Sequence, residues 1–197
     1  YEFLKSLNPS TVDFLFPEGT HDKLPPYFDG VSTPYADWLL HVFNAWKKDG
    51  SAGLKIRMFL QLMRSLIGFE EGYDIFGQGN IEVLVVETDG EIQPLDGLRM
   101  CADGIANTPY NVLSHELDDA FALPLIRQYQ YAHSLVSPVC AACDAVKVCG
   151  GGFLAHRHSA ANGFSNPSIY CEDMKLLIRE VGTWLVQNLP QSEQHRL

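Results

Sequence analysis

The feature that most constrains this chain is a set of four cysteines in its C-terminal third, Cys140, Cys143, Cys149 and Cys171, spaced C-x2-C-x5-C-x21-C. The two residues between Cys140 and Cys143 bring both sulfurs onto one centre through a tight turn, and Cys149 runs directly into Gly150-Gly151-Gly152. Successive glycines let a backbone approach such a centre and offer N–H groups to its sulfurs, which larger residues would block. Cys171 stands at the start of the last predicted helix, where the positive end of the dipole favours a thiolate. Three chemistries compete for this set. An iron–sulfur cluster employs all four thiolates. Structural zinc more often shows two separated C-x2-C knuckles. A redox disulfide would use Cys140 and Cys143 and leave Cys149 and Cys171 without a role. The tight clustering favours the first.

The remaining cysteine, Cys101, makes the total five, an odd number that fits poorly with an extracellular disulfide framework. The stretch after Tyr1 lacks the basic-then-apolar layout of a signal peptide, so a reducing cytoplasm is the expected compartment. A net charge of −10 argues against a nucleic-acid or anionic-membrane partner, since both need a positive field. No apolar run approaches the ~20 residues of a bilayer span. With 197 residues and 46% hydrophobic content, one domain, or a domain plus an appendage, can bury a sizeable core.

Along the chain, 1–7 reads as the end of a helix stopped by Asn8-Pro9, and 12–16 as a buried strand followed by the loop 17–22. A lone parallel-type strand needs both faces covered, so 1–30 is expected to be the tail of a larger α/β domain, and the chain a fragment or one piece of a split protein. Ser32-Thr33-Pro34 predicts a hydroxyl-capped helix start, with Trp38, Leu39, Val42, Phe43 and Trp46 at helical spacing. A second helix is expected over about 57–67, with Phe59, Leu60, Met63, Leu66 and Ile67 on its apolar face and Gly68 as its stop. Two β-rich runs around Asp89-Gly90 predict a hairpin. Ser114 is expected to cap a helical stretch that restarts at Pro124. A last helix is expected over about 172–189, and 191–197 reads as a frayed polar tail.

The block Cys140-x2-Cys143-x5-Cys149, Gly150-Gly151-Gly152, His156-Arg157, then Asn162-Gly163-Phe164-x-Asn166-Pro167-Ser168-x-Tyr170-Cys171-x-Asp173 resembles the SPASM domain of radical S-adenosylmethionine peptide maturases. Most similar are the FxsB-like, cyclophane-forming enzymes. Glu87-Thr88-Asp89-Gly90-x-Ile92-x-Pro94 resembles the hairpin that opens such domains, and Pro34–Leu39 the linker before it. The resemblance implies one auxiliary [4Fe-4S] cluster held by Cys140, Cys143, Cys149 and Cys171. Where many SPASM domains carry cysteines for a second auxiliary cluster, this chain has Leu95 and Phe153. The C-x3-C-x2-C triad of the radical core is absent from the sequence, so S-adenosylmethionine and its own [4Fe-4S] cluster are expected only in that core.

The implied fold is α+β: the end of a partial (β/α) barrel over 1–30, a helical linker over 31–78 and a SPASM-like iron–sulfur domain with a β-hairpin over 79–190. The implied activity of the whole enzyme is a carbon–carbon cross-link in a ribosomal precursor peptide, with the radical core as partner in the same or a separate chain. This chain by itself should not cleave S-adenosylmethionine. Alternatives are a stand-alone iron–sulfur module that binds peptide or transfers electrons, and a zinc-stabilised interaction domain. Arg157 is a candidate counter-charge for the cluster. His156 and His158 could bond to a sulfur or a substrate, and His21 and Asp22 could accept protons, although solvated or satisfied roles are commoner for such residues. Cys101 is expected to be a free, semi-buried thiol.

Overall fold

The computed structural model describes residues 1–50, 53–70 and 73–189. Helix α1 (Glu2–Ser6) leads into strand β1 (Thr11–Val12), which pairs in parallel with β2 (Lys55–Ile56) on the far side of helix α2 (Pro34–Lys48). The expected strand over 12–16 is thus shorter. Its ladder ends where Asp13 turns its carboxylate to the N–H groups of Phe14 (2.9 Å) and Met58 (3.0 Å), the latter in the first turn of α3 (Arg57–Leu66). The hairpin forms at Asp89-Gly90 with β3 (Val85–Val86) antiparallel to β4 (Ile92–Gln93), and Gly90 takes φ 86° in the turn. This ladder is also short, because Ile81 donates its N–H to the Gln130 carbonyl instead (2.9 Å).

A 3-10 turn (Asp96–Met100) leads to α4 (Leu117–Ala120) and α5 (Pro124–Gln130). The expected Ser114 cap gives way to a reciprocal capping box between Glu116 and Asp119. The cysteine region contains α6 (Pro138–Ala141), α7 (Val146–Cys149) and a second 3-10 turn (Leu154–Arg157), and α8 (Cys171–Asn188) closes the described chain. The tail over 191–197 lies outside the described residues. Among them, no helix is long and apolar enough to cross a membrane.

The main core joins Phe16, the buried faces of α2 and α3, the segment 73–76 and the first half of α8. In α2, Leu39, Val42, Phe43 and Trp46 are buried as their spacing predicts, whereas Trp38 is half exposed and meets Phe14 edge-on at 5.3 Å. The face α3 buries is rotated toward Met58, Phe59 and Leu62, because the helix packs against both α7 and α8. A smaller core gathers Ile81, Leu98, Tyr129, Leu154 and Phe164.

The start of α2 departs from expectation. Ser32 bonds to Asp29 (2.7 Å), and Thr33 makes no side-chain cap bond. The unpaired N–H groups of Tyr35 and Ala36 donate instead to Asp173 Oδ1, at 3.1 and 2.8 Å, across the core on α8. Asp173→Ala should therefore cost about 1–2 kcal/mol of stability in urea unfolding, as loss of a helix cap does. Thr33→Ala should stay within about 0.5 kcal/mol.

Candidate metal centre

Short helices deliver the cysteines. Ser137 Oγ accepts the Cys140 N–H at 3.3 Å and Pro138 fills the first helical position, a cap-and-proline signature legible in the sequence and missed there. The Cys143 N–H then donates to the Cys140 carbonyl at 3.0 Å, which makes the tight turn between them. Cys149 is the last residue of α7 and Cys171 the first of α8. All four face one cavity of about 240 Å³, together with Val139, Val146, Pro167 and the side chain of Lys175. Among the described residues, no three His, Cys, Asp or Glu side chains stand close enough to hold one metal ion. All five cysteines are free thiols.

Burial dominates the acidity of Cys149 and Cys171. It pushes the Cys149 thiol up to about 12, with Cys171 and Cys140 adding to the rise, while the Gly151 N–H and Arg157 oppose it. Cys171 is likewise raised by burial, against the dipole effect expected at a helix start, with Lys175 opposing. Mutual influence among Cys140, Cys143, Cys149 and Cys171 reflects their shared surroundings.

Behind the cavity, Gly150, Gly151 and Gly152 all adopt left-handed backbone, with φ of 59°, 78° and 74°. Arg157, fully buried, is folded into the resulting bend. Its Nε donates to the Gly151 carbonyl (2.9 Å), Nη1 to Ala132 (2.8 Å), and Nη2 to both Gly150 (2.7 Å) and Gly152 (2.5 Å). Burial lowers its pKa to about 10, and the negative groups that oppose this are Cys140 and Cys149. The glycines therefore serve chiefly to turn carbonyls inward to a cation, and the Gly151 N–H is the one directed at a cysteine sulfur. His133, buried on the other side, has Nδ1 2.9 Å from the Gly150 carbonyl and Nε2 2.7 Å from that of Tyr73; sequence reasoning passed it over.

The other sequence candidates have structural partners. His21 Nε2 lies 2.8 Å from the Pro167 carbonyl, and Asp22 accepts the Ala160 N–H at 2.7 Å, so the loop 17–22 is fastened to the cysteine region. Tyr170 Oη donates to the Pro17 carbonyl (2.6 Å), and its ring stacks on Phe16 at 4.6 Å. His156 packs edge-on to Tyr170 and Phe153. His158 is buried against Phe164, with its Nδ1 unpartnered. Cys101 lies outside the cavity, half buried, with its thiol pushed up to about 12 by burial.

Among solved structures, the chain is similar to anSMEcpe with bound AdoMet, at a TM-score of 0.73 and 19% identity over 96% of this chain and 52% of that one. The same protein with AdoMet and Cp18Cys peptide gives 0.73 at 18% identity over 95% and 52%. With AdoMet and Kp18Cys peptide the values are 0.69 at 18% over 95% and 52%. The chain thus shares their fold and spans about half their length. No family model and no curated protein sequence matches it.

Two outcomes follow from this geometry. A Cβ on Gly150 would overlap the Gly77 carbonyl oxygen and the His133 ring, in a backbone conformation that disfavours side chains. Gly150→Ala should therefore cost at least about 2 kcal/mol by denaturant unfolding. Burial also lowers His156 from 6.5 to about 4, so the unfolded chain takes up a proton at a higher pH than the folded one. The unfolding free energy from urea titrations should fall as pH is lowered through that window, by up to about 1.4 kcal/mol per pH unit for this group, and His156→Gln should flatten the slope.

Proposed function

We propose that this chain is the C-terminal part of a radical S-adenosylmethionine enzyme that forms a carbon–carbon, cyclophane-type cross-link in a ribosomal precursor peptide. In this reading Cys140, Cys143, Cys149 and Cys171 hold one auxiliary [4Fe-4S] cluster. The observation that carries it is a cavity of about 240 Å³ onto which three separate segments bring those four thiols. A tetrahedral zinc site needs sulfurs about 2.3 Å from a single ion. Thiols arranged around a space match a polynuclear centre better.

Charge supports the same group. Four thiolates and an oxidised cubane carry net negative charge, and Arg157 presents a buried cation beside Cys140 and Cys149. The Gly151 N–H points to the Cys149 sulfur, and Lys175, paired with Glu172 at 2.9 Å, lies at the cavity wall. Because buried thiols must lose their protons to bind metal, assembly would release protons and be favoured by rising pH. When bound, the cluster would supply a one-electron acceptor for the oxidation that completes the cross-link.

The wider assignment rests on the fold shared with anSMEcpe, solved with AdoMet and with peptide, and on the cysteine block. Phe3, Leu7 and Leu15 are 72%, 63% and 75% exposed, apolar residues that would suit packing against a preceding α/β layer. The reading places the end of a partial barrel at 1–30, a linker at 31–78 and the SPASM-like domain at 79–190, in a cytoplasmic enzyme. S-adenosylmethionine would bind in the radical core.

Anaerobic purification followed by iron, sulfide and zinc analysis should give about four irons and four sulfides per chain. Cys149→Ala should abolish or destabilise the cluster and its visible absorption, and Cys101→Ala should leave both intact. One zinc without labile sulfide, or full cluster content in Cys149→Ala, would overturn the assignment.

A further inference from the structure

A second cavity, of about 270 Å³, lies where the segment after β1 meets the first 3-10 turn and the start of the second. Its floor is apolar, formed by Phe16, Leu95, Met100 and Phe153. Three carboxylates, Glu18, Asp74 and Asp96, stand on its wall, and among the described residues no lysine, arginine or cysteine lines it. Its volume falls just under the ~300–1,000 Å³ typical of small-molecule sites, which suits a single side chain.

The electrostatics are one-sided. Asp96 turns one oxygen to the Gly97 N–H at 2.8 Å, the only neutral donor bonded to it among the described residues. Burial raises the Asp74 carboxyl, opposed by its own backbone N–H and by the Arg57 and His133 charges; the Arg57 guanidinium itself sits 3.7 Å from Asp13 and over the Tyr73 ring. His156, the remaining polar group of the wall, is held neutral by burial near pH 7. An apolar slot with negative charge at its wall is complementary to a long alkyl stem ending in a cation, which buries its methylenes and keeps its charge at the rim.

We propose that this cavity binds a basic side chain, lysine or arginine, of the peptide on which the protein acts. The proposal rests on the peptide-modifying reading above. Its alkyl stem would lie along Leu95, Met100 and Phe153, and its charge would meet Asp74, Asp96 and Glu18. Selection among peptides would then include a requirement for a basic residue at one fixed position.

Met100 is a reporter inside the cavity, and the other methionines, Met58, Met63 and Met174, pack in or against the main core. The test uses anaerobically purified protein labelled with [13C-methyl]methionine, titrated with N-acetyl-lysine N-methylamide and, separately, with its norleucine counterpart. The expected result is a saturable shift of the Met100 methyl signal with the lysine probe, and binding at least about fivefold weaker for norleucine. Asp96→Asn combined with Asp74→Asn should remove that preference while the other three methyl signals stay in place and certify the fold. Equal binding of both probes, or a Met100 signal unmoved by either, overturns the proposal. These outcomes are independent of cluster content, so failure here is separable from failure of the cysteine assignment.

Discussion

The C-terminal half of this protein is organised around a guanidinium that, among the described residues, is paired with carbonyls and with no carboxylate. Arg157 is fully buried and gives its donors to the carbonyls of Ala132, Gly150, Gly151 and Gly152. Burying a cation is expensive unless it is fully hydrogen-bonded and met by negative charge. Three consecutive left-handed residues are what turn three neighbouring carbonyls toward one point, and at those φ values only glycine is unstrained. The glycine run and the arginine are therefore one device. Cβ atoms on Gly151 and Gly152 would press against Arg157 and Met174 at 2.8 Å, so the close packing around the bend enforces the same choice.

A second convergence lies at the start of α8. Ile169 donates its N–H to the His156 carbonyl (3.0 Å), Tyr170 bonds Pro17 and stacks on Phe16, Cys171 enters the cysteine cavity, and Asp173 caps α2. Met174 then lies against Gly152, and Lys175 reaches the cavity wall. Residues between Ile169 and Lys175 thus tie the N-terminal segment, the α2–α3 pair and the glycine bend to one another. The position of the fourth thiol is set by all three, which links the centre's geometry to packing far from it in sequence.

Local chemistry made parts of this legible from sequence. Pro34, the apolar spacing of 39–46, Asp89-Gly90 and Gly68 each determine their own turn or helix through bonds a few residues long, and the cysteine spacing pointed to the four residues that line the cavity. What could not be read depends on partners distant in the chain. Asp173 caps a helix that begins 139 positions earlier, measured from Pro34, and nothing around Thr33 signals it. The strand after Thr11 was overextended because its apolar run hid an Asp13 whose carboxylate serves α3. Arg157 was noticed as a possible counter-charge, but its grip on the glycine carbonyls requires a bend that only the folded loop reveals. Ser137 is a different case, since its cap on Cys140 and the proline that follows are local signals the sequence carries within four residues.

The two cavities differ in charge. At the cysteines two cations, Arg157 just behind the bend and Lys175 on the wall, stand with two carboxylates, Glu172 at 2.9 Å from Lys175 and Asp144 at 3.7 Å from the Cys143 sulfur. Among the described residues, the charged groups that line the second cavity are carboxylates. At a net charge of −10, the protein as a whole repels anions, so an anionic group is retained only where local cations and N–H dipoles outweigh that field. A cationic group, by contrast, is drawn to the molecule generally and needs only a shaped slot to be held in one place. Phe153 directly follows the glycine bend and floors the second cavity, so the turn that fixes the arginine also fixes one wall of the acidic slot. Any adjustment of the cysteine centre that moved Gly152 would be transmitted through a single peptide bond to that wall.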